Sequence, residues 1–130
     1  MSYQAMLNTR NALIGNTAIS SQVPANDIKV GWPRQLESFP CILISQAGGT
    51  DNGFLGYQTG GLRREENVLQ IDIFSDASST ETLQIADSIV PVMISSLAAS
   101  KTGDSNNFDD KLNVYRKVQT YSFTMEHDDY

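Results

Sequence analysis

Val68-Leu69-Gln70-Ile71-Asp72-Ile73-Phe74-Ser75 runs directly into Asp76-Ala77-Ser78-Ser79-Thr80-Glu81, and the architecture turns on this junction. In its first half Leu69, Ile71 and Ile73 alternate with Gln70 and Asp72. That period of two places the aliphatic side chains on one face of a strand and the polar ones on the other. In its second half Ser78 and Glu81 have the spacing of a capping box, in which each side chain satisfies an orphan backbone amide at a helix start. Leu83, Ala86, Ile89, Val90, Met93 and Leu97 follow at helical spacing, a wide apolar stripe made to cover a sheet. Pro91 falls inside this helix and predicts a bend near Asp87, because proline removes one backbone hydrogen bond. A strand feeding a covering helix leads to the expectation of an α+β domain.

Downstream, Gly103 closes the helical region and Asp104 to Asp110 reads as a polar loop. Asn113 to Met125 reads as extended, with Tyr121, Phe123 and Met125 on one face and Thr120, Ser122 and Thr124 on the other. Fully extended, this stretch reaches about 40 Å, so it either bends or runs beyond the sheet. Glu126-His127-Asp128-Asp129-Tyr130 reads as a frayed acidic tail.

Upstream, Tyr3, Met6, Leu7, Arg10, Leu13 and Ile14 share a helical face, with Ser2 as cap and Gly15-Asn16 as stop. Tyr3 is expected in the core, and Trp32 as a lid over it. Thr17 to Asp27 is expected as a loop. Ile28, Val30 and Trp32 alternate in a short strand ended by Pro33, and Cys41 to Ser45 is an apolar run fit for a strand covered on both faces. Between Gln46 and Glu66 stand six of the nine glycines, with Asp51-Asn52-Gly53 as the expected turn. A connection of that length is uncommon in a compact domain and is usually functional. It reads as a projecting glycine-rich arm at about 47–66. The expectation is therefore one domain over 1–130, with the order helix, strand, strand, arm, strand, helix, strand. Its four-stranded sheet is mainly antiparallel, because short links favour antiparallel pairing, and both helices cover one face.

Composition narrows function by exclusion. The net charge is −6 and the basic residues are dispersed, apart from Arg63-Arg64 and Arg116-Lys117. Binding to a nucleic-acid backbone needs clustered Lys and Arg, so a nucleic-acid-binding module is not expected. No apolar run approaches the ~18 residues that span a membrane. Met1-Ser2-Tyr3-Gln4 has no basic region leading into an apolar one, so no secretory signal is expected. Cys41 is the only cysteine and sits among aliphatics, which excludes an internal disulfide and suits a reducing cytoplasm.

Catalytic chemistry is equally hard to assemble. The single histidine, His127, lies among carboxylates near the end of the sequence, a poor place to preorganise a general base or, with Glu126 and Asp128, a metal site. The glycines match neither phosphate-cradling pattern, and Gly60-Gly61 is followed by Leu62 instead of lysine. Asp104-Ser105-Asn106 begins like a calcium loop but lacks the later Gly and Glu. No catalytic, metal-binding or cofactor-binding residue is assigned. Phe54, Leu55 and Tyr57 instead offer apolar and aromatic contact surface. Arg63, Arg64 and Glu66, in the two-sign cluster Arg63-Arg64-Glu65-Glu66, offer charges able to fix register between neighbours. These six are the expected interface residues.

The pattern as a whole resembles the tail-terminator, or tail-completion, proteins of long-tailed phages of the lambda type. The features that carry the likeness are the short N-terminal helix, Phe39-Pro40 opening Cys41-Ile42-Leu43-Ile44, the long arm, and the strand from Val68 to Phe74. They continue in a helix with early Glu81 and Ala86 and in a terminal strand. The resemblance implies a structural virion protein assembled in the host cytoplasm and located at the tail–neck region. It implies a homo-oligomer, a six-fold ring, seated on the major tail tube protein. That ring ends tube polymerisation and presents a surface to the head-completion or connector protein. DNA passes through its lumen without specific binding, and net acidity suits such a lumen. The alternatives are a head-completion or stopper protein of the same connector, and a ligand- or peptide-binding domain with the arm as a lid.

Overall fold

The computed structural model of the protein describes residues 2–31, 33, 36, 38–54 and 62–128. Over the described residues the fold is α+β, a five-stranded mixed sheet with three α-helices. Helix α1 spans Ser2–Ile14, α2 Thr17–Ser20 and α3 Ser79–Leu97, with a 3-10 turn at Ala25–Asp27. The strands are β1 (Ile28–Val30), β2 (Cys41–Phe54), β3 (Leu62–Ser75), β4 (Ser100–Asp109) and β5 (Val114–Asp128). Their spatial order is β1-β2-β3-β5-β4.

The alternation at the centre of the sequence is realised. Leu69, Ile71 and Ile73 are fully buried in the main core with Ile42, Ile44, Tyr121 and Phe123 from the flanking strands. Ala5 and Leu13 of α1, Ile19 of α2, and Ile85, Ala86, Ile89 and Met93 of α3 close that core from one face. The opposite face holds a smaller cluster, Cys41, Leu43, Phe74 and Val114, capped by Leu36 and Phe39. Cys41 to Ile44 is thus buried on both faces, which explains its unbroken apolar run. Trp32 lies outside the described residues.

Several expectations are corrected. The sheet has a fifth strand: β4 occupies the segment read as a polar loop, and pairs antiparallel with β5 from Ser100↔Ser122 to Asp109↔Val114. Its sequence carries no apolar alternation because it is an edge strand with no buried residue, so burial never selected its composition. The pair β1–β2 is parallel, Ile28↔Ile42 to Val30↔Ile44, not antiparallel. The ten residues between them act as a crossover that returns the chain to the same end. Gly31 starts it at φ 82°, a conformation open to glycine, while its N–H donates to the Ile44 carbonyl (2.7 Å). The Phe39–Pro40 peptide is cis.

The helices differ in phase as well as number. Thr17 to Asp27 is not a simple loop. Asn16 caps α2 by accepting from the Ile19 N–H (3.3 Å), and Ile19 and Val23 are buried. The buried line of α1 is Ala5, Thr9 and Leu13, spaced four apart, so Tyr3 is 54% exposed instead of core. The small Ala5 lets α1 approach the sheet closely. In α3 the buried set is Thr82, Ile85, Ala86, Ile89, Val92 and Met93, which turns Leu83 outward. The capping box is half-formed. Ser78 Oγ accepts from the Glu81 N–H (3.2 Å), but the Glu81 carboxylate accepts from the Ser75 hydroxyl (2.5 Å). Ser75 Oγ in turn accepts from the Ala77 and Ser78 amides.

Candidate assembly surface

The 19 residues of α3 span about 28 Å, whereas the 14-residue strands β2 and β3 span about 46 Å. The helix therefore cannot cover the full length of the sheet. Beyond the main core, β2, β3 and β5 continue together as a three-stranded ribbon. In it Thr50 and Thr124 flank Glu66, and Phe54 and His127 flank Arg63.

This is where the structure places the expected interface residues. Phe54 ends β2, and Arg63, Arg64 and Glu66 lie on the central strand β3. Leu55 and Tyr57 lie outside the described residues. The turn expected at Asp51-Asn52-Gly53 is strand instead: Asp51 is opposite Glu65, with a register shift before the Phe54↔Arg63 pair. Turn propensity is a local preference, and here ladder pairing with β3 outweighs it. The connection between the two strands falls in residues 55–61, outside the described set.

Sequence reasoning missed the third strand. Glu126, His127 and Asp128, read as a frayed tail, stand in β5 opposite Arg64, Arg63 and Leu62. A signal was present, since the apolar alternation of β5 continues through Met125 at the full length of β3. At the root of the ribbon Asn67, opposite Gly49 and Phe123, is buried, and its amide nitrogen has no hydrogen-bond partner among the described residues.

Elsewhere the polar groups are built for structure. Lys117, on β5, is buried and ion-paired with Asp104 of β4 (2.5 Å), which also binds Lys101 (3.0 Å). Burial pushes the Asp104 carboxyl up, but hydrogen bonds from Lys117 and Lys101 outweigh it and hold the group below its ordinary value. Next to this pair, the Tyr121 hydroxyl donates to Gln119 Oε1 (2.8 Å); burial, with the Asp104 charge adding to it, raises its pKa. On the opposite face Asp72 is fully buried. It accepts from Gln70 (3.1 Å) and Arg116 (3.3 Å), whose guanidinium lies 5.7 Å from the centre of the Phe74 ring. Burial raises the pKa of Asp72 against the pull of those two donors.

Burial, with Asp27 nearby, pushes the Cys41 thiol up to about 12, leaving it protonated and unreactive. Among the described residues no three His, Cys, Asp or Glu side chains are grouped to hold a metal. A shallow groove of about 430 Å³ at the β4–β5 turn is lined by Asn107, Phe108, Asp109, Asp110, Lys111 and Arg116. Among the described residues no helix is long and apolar enough to cross a membrane.

No protein-family model matches the sequence, and no curated protein matches it. Solved structures do match. One chain of a structure described as the virion of a native gene transfer agent (GTA) particle superposes with a TM-score of 0.70 at 9% sequence identity. The match covers 94% of this chain and 94% of that one, so the two share a fold over nearly their whole lengths.

Proposed function

We propose that the chain is a non-enzymatic structural subunit of a phage-like virion, and within it the tail terminator. In this role it forms a ring, six-fold in the reading from its sequence, on the head-proximal end of the tail tube. It ends tube polymerisation and offers the surface to which the head connector joins. The observation that carries the reading is the near-complete fold likeness to a chain of a gene transfer agent virion.

Two further features support it. Of the residues that sequence reasoning marked as interface-forming, Phe54, Arg63, Arg64 and Glu66 sit at one end of the sheet, on strands longer than the helix beside them. The net charge of −6 suits a lumen through which DNA slides without adhering.

The test is assembly. Purified protein added to growing tail tubes is expected to bind one end, stop elongation and yield tubes of fixed length in electron micrographs, with a ring mass by native mass spectrometry. Tubes that keep growing in its presence would overturn the terminator reading. Rings that bind a head connector but ignore tubes would redirect it to the head-completion role.

A further inference from the structure

The ribbon has two edges that no described strand covers. Strand β1 pairs with β2 only at Ile42, Leu43 and Ile44, and β4 pairs with β5 only as far as Ser122. Among the described residues no strand lies along the outer side of 48–54 or of 123–128. Each edge therefore presents a row of backbone N–H and C=O groups, a template for another strand.

The two edges match in three respects. Both β2 and β5 are antiparallel to β3, so they run in the same direction. Both free stretches are about six residues long, or about 20 Å. They also lie on opposite sides of one ribbon, as a head-to-tail contact between identical subunits requires. The edge formed by Gly48-Gly49-Thr50-Asp51 carries no lysine or proline, two of the devices that usually blunt an exposed edge. Gly48 and Gly49, having no Cβ, leave room for a neighbouring backbone to approach closely.

Resting on the ring reading above, we infer that neighbouring copies join by strand addition, the 123–128 edge of β5 in one copy pairing with the 48–54 edge of β2 in the next. Rotation about a ring axis preserves strand direction along that axis. With three strands per copy the edge strands run the same way, so the seam between copies is parallel while every pairing within the ribbon is antiparallel. The ribbons then close into a continuous belt, and the glycines of the arm serve close packing rather than flexibility. The irregularity between Asp51 and Phe54 limits the regular part of the seam on the β2 side to 48–51.

Hydrogen–deuterium exchange of the intact protein tests this, read beside native mass spectrometry at concentrations where it is monomeric and where it is ring-forming, with tail tubes added if rings need them. The amides in 48–54 and 123–128 that point away from β3 are expected to slow at least tenfold in the ring. Amides of 65–68, already paired on both sides, are expected to stay protected in both states. Rings whose edge amides exchange as fast as in the monomer would overturn the seam and leave the terminator reading standing. Protection confined to α3, around the exposed Leu83 and Ile94, would place the contact on the helices instead. A protein monomeric under every condition would overturn both the seam and the ring.

Discussion

At Ala98 the chain carries a side chain through a left-handed conformation (φ 51°, ψ 37°) to end α3, its N–H donating to the Ile94 carbonyl (3.1 Å). Glycine is the usual occupant of this position because a Cβ there crowds the backbone. Ala98→Gly is therefore expected to stabilise the fold by about 0.5–1 kcal/mol and raise the melting temperature by roughly 2–4 °C; a lower melting temperature would refute the strain. Asp104 makes a second residue-scale prediction. Its folded pKa lies below the unfolded value of about 3.9, so its contribution is present above that value and lost as pH falls through the folded one. Asp104→Asn leaves the buried Lys117 ammonium without its carboxylate and is expected to cost about 1–3 kcal/mol at pH 7. The gap between the two proteins should close as pH falls below the folded pKa of Asp104. A pH-independent gap would assign the loss to packing.

Among the elements, α3 and β4 depend on opposite resources. Helix α3 is held by its buried face, and Pro91, exposed on its other side, sits there at a local cost: the Asp87 carbonyl has no proline N–H to accept from. Pro91→Ala is expected to stabilise by about 1–2 kcal/mol, measured by chemical denaturation. A loss of more than about 2 kcal/mol would mean that a bend at this point is needed to seat the helix. Strand β4 has almost no burial to draw on. It is held by its ladder to β5, by the Lys117–Asp104 pair, and by a close approach at Gly103, where a Cβ would collide with Thr120 Oγ1.

For the molecule as a whole, the described core and the ribbon are separable. Core side chains on the strands come from Ile28, 41–44, 69–74 and 114–123, while the ribbon lies beyond them. Replacing residues 51–65 with an Asn-Gly turn closes the hairpin on the existing Thr50↔Glu66 pair. Circular dichroism and the melting temperature are expected to stay within about 1 kcal/mol of the parent. Ring formation and tube capping should be lost, as read by light scattering and electron microscopy. If the shortened protein still capped tubes, Phe54, Arg63 and the rest of the hairpin would have no part in assembly, and the interface would have to be sought on the helices.

Burial periodicity is written locally, and what depended on it was legible. The Leu69-Ile71-Ile73 face, the start of α3 at Ser78 and the doubly covered strand at Cys41 could all be read from the chain. So could the unusual character of 47–66, as a segment without a local reason to exist. What could not be read was pairing. The ladders Ser100↔Ser122 and Arg63↔His127 join residues far apart in the chain, and no local pattern encodes a partner. Helical phase failed for a related reason. Tyr3 and Leu83 fit an apolar stripe as well as Ala5 and Ile85 do, and only the distance at which each helix packs on the sheet decides which line turns inward. Composition thus determined the class of fold and the position of the arm. The tertiary ladder decided that the arm is a three-stranded ribbon with the chain's last described residues, 124–128, built into it, because strand pairing is settled by backbone groups that every sequence shares.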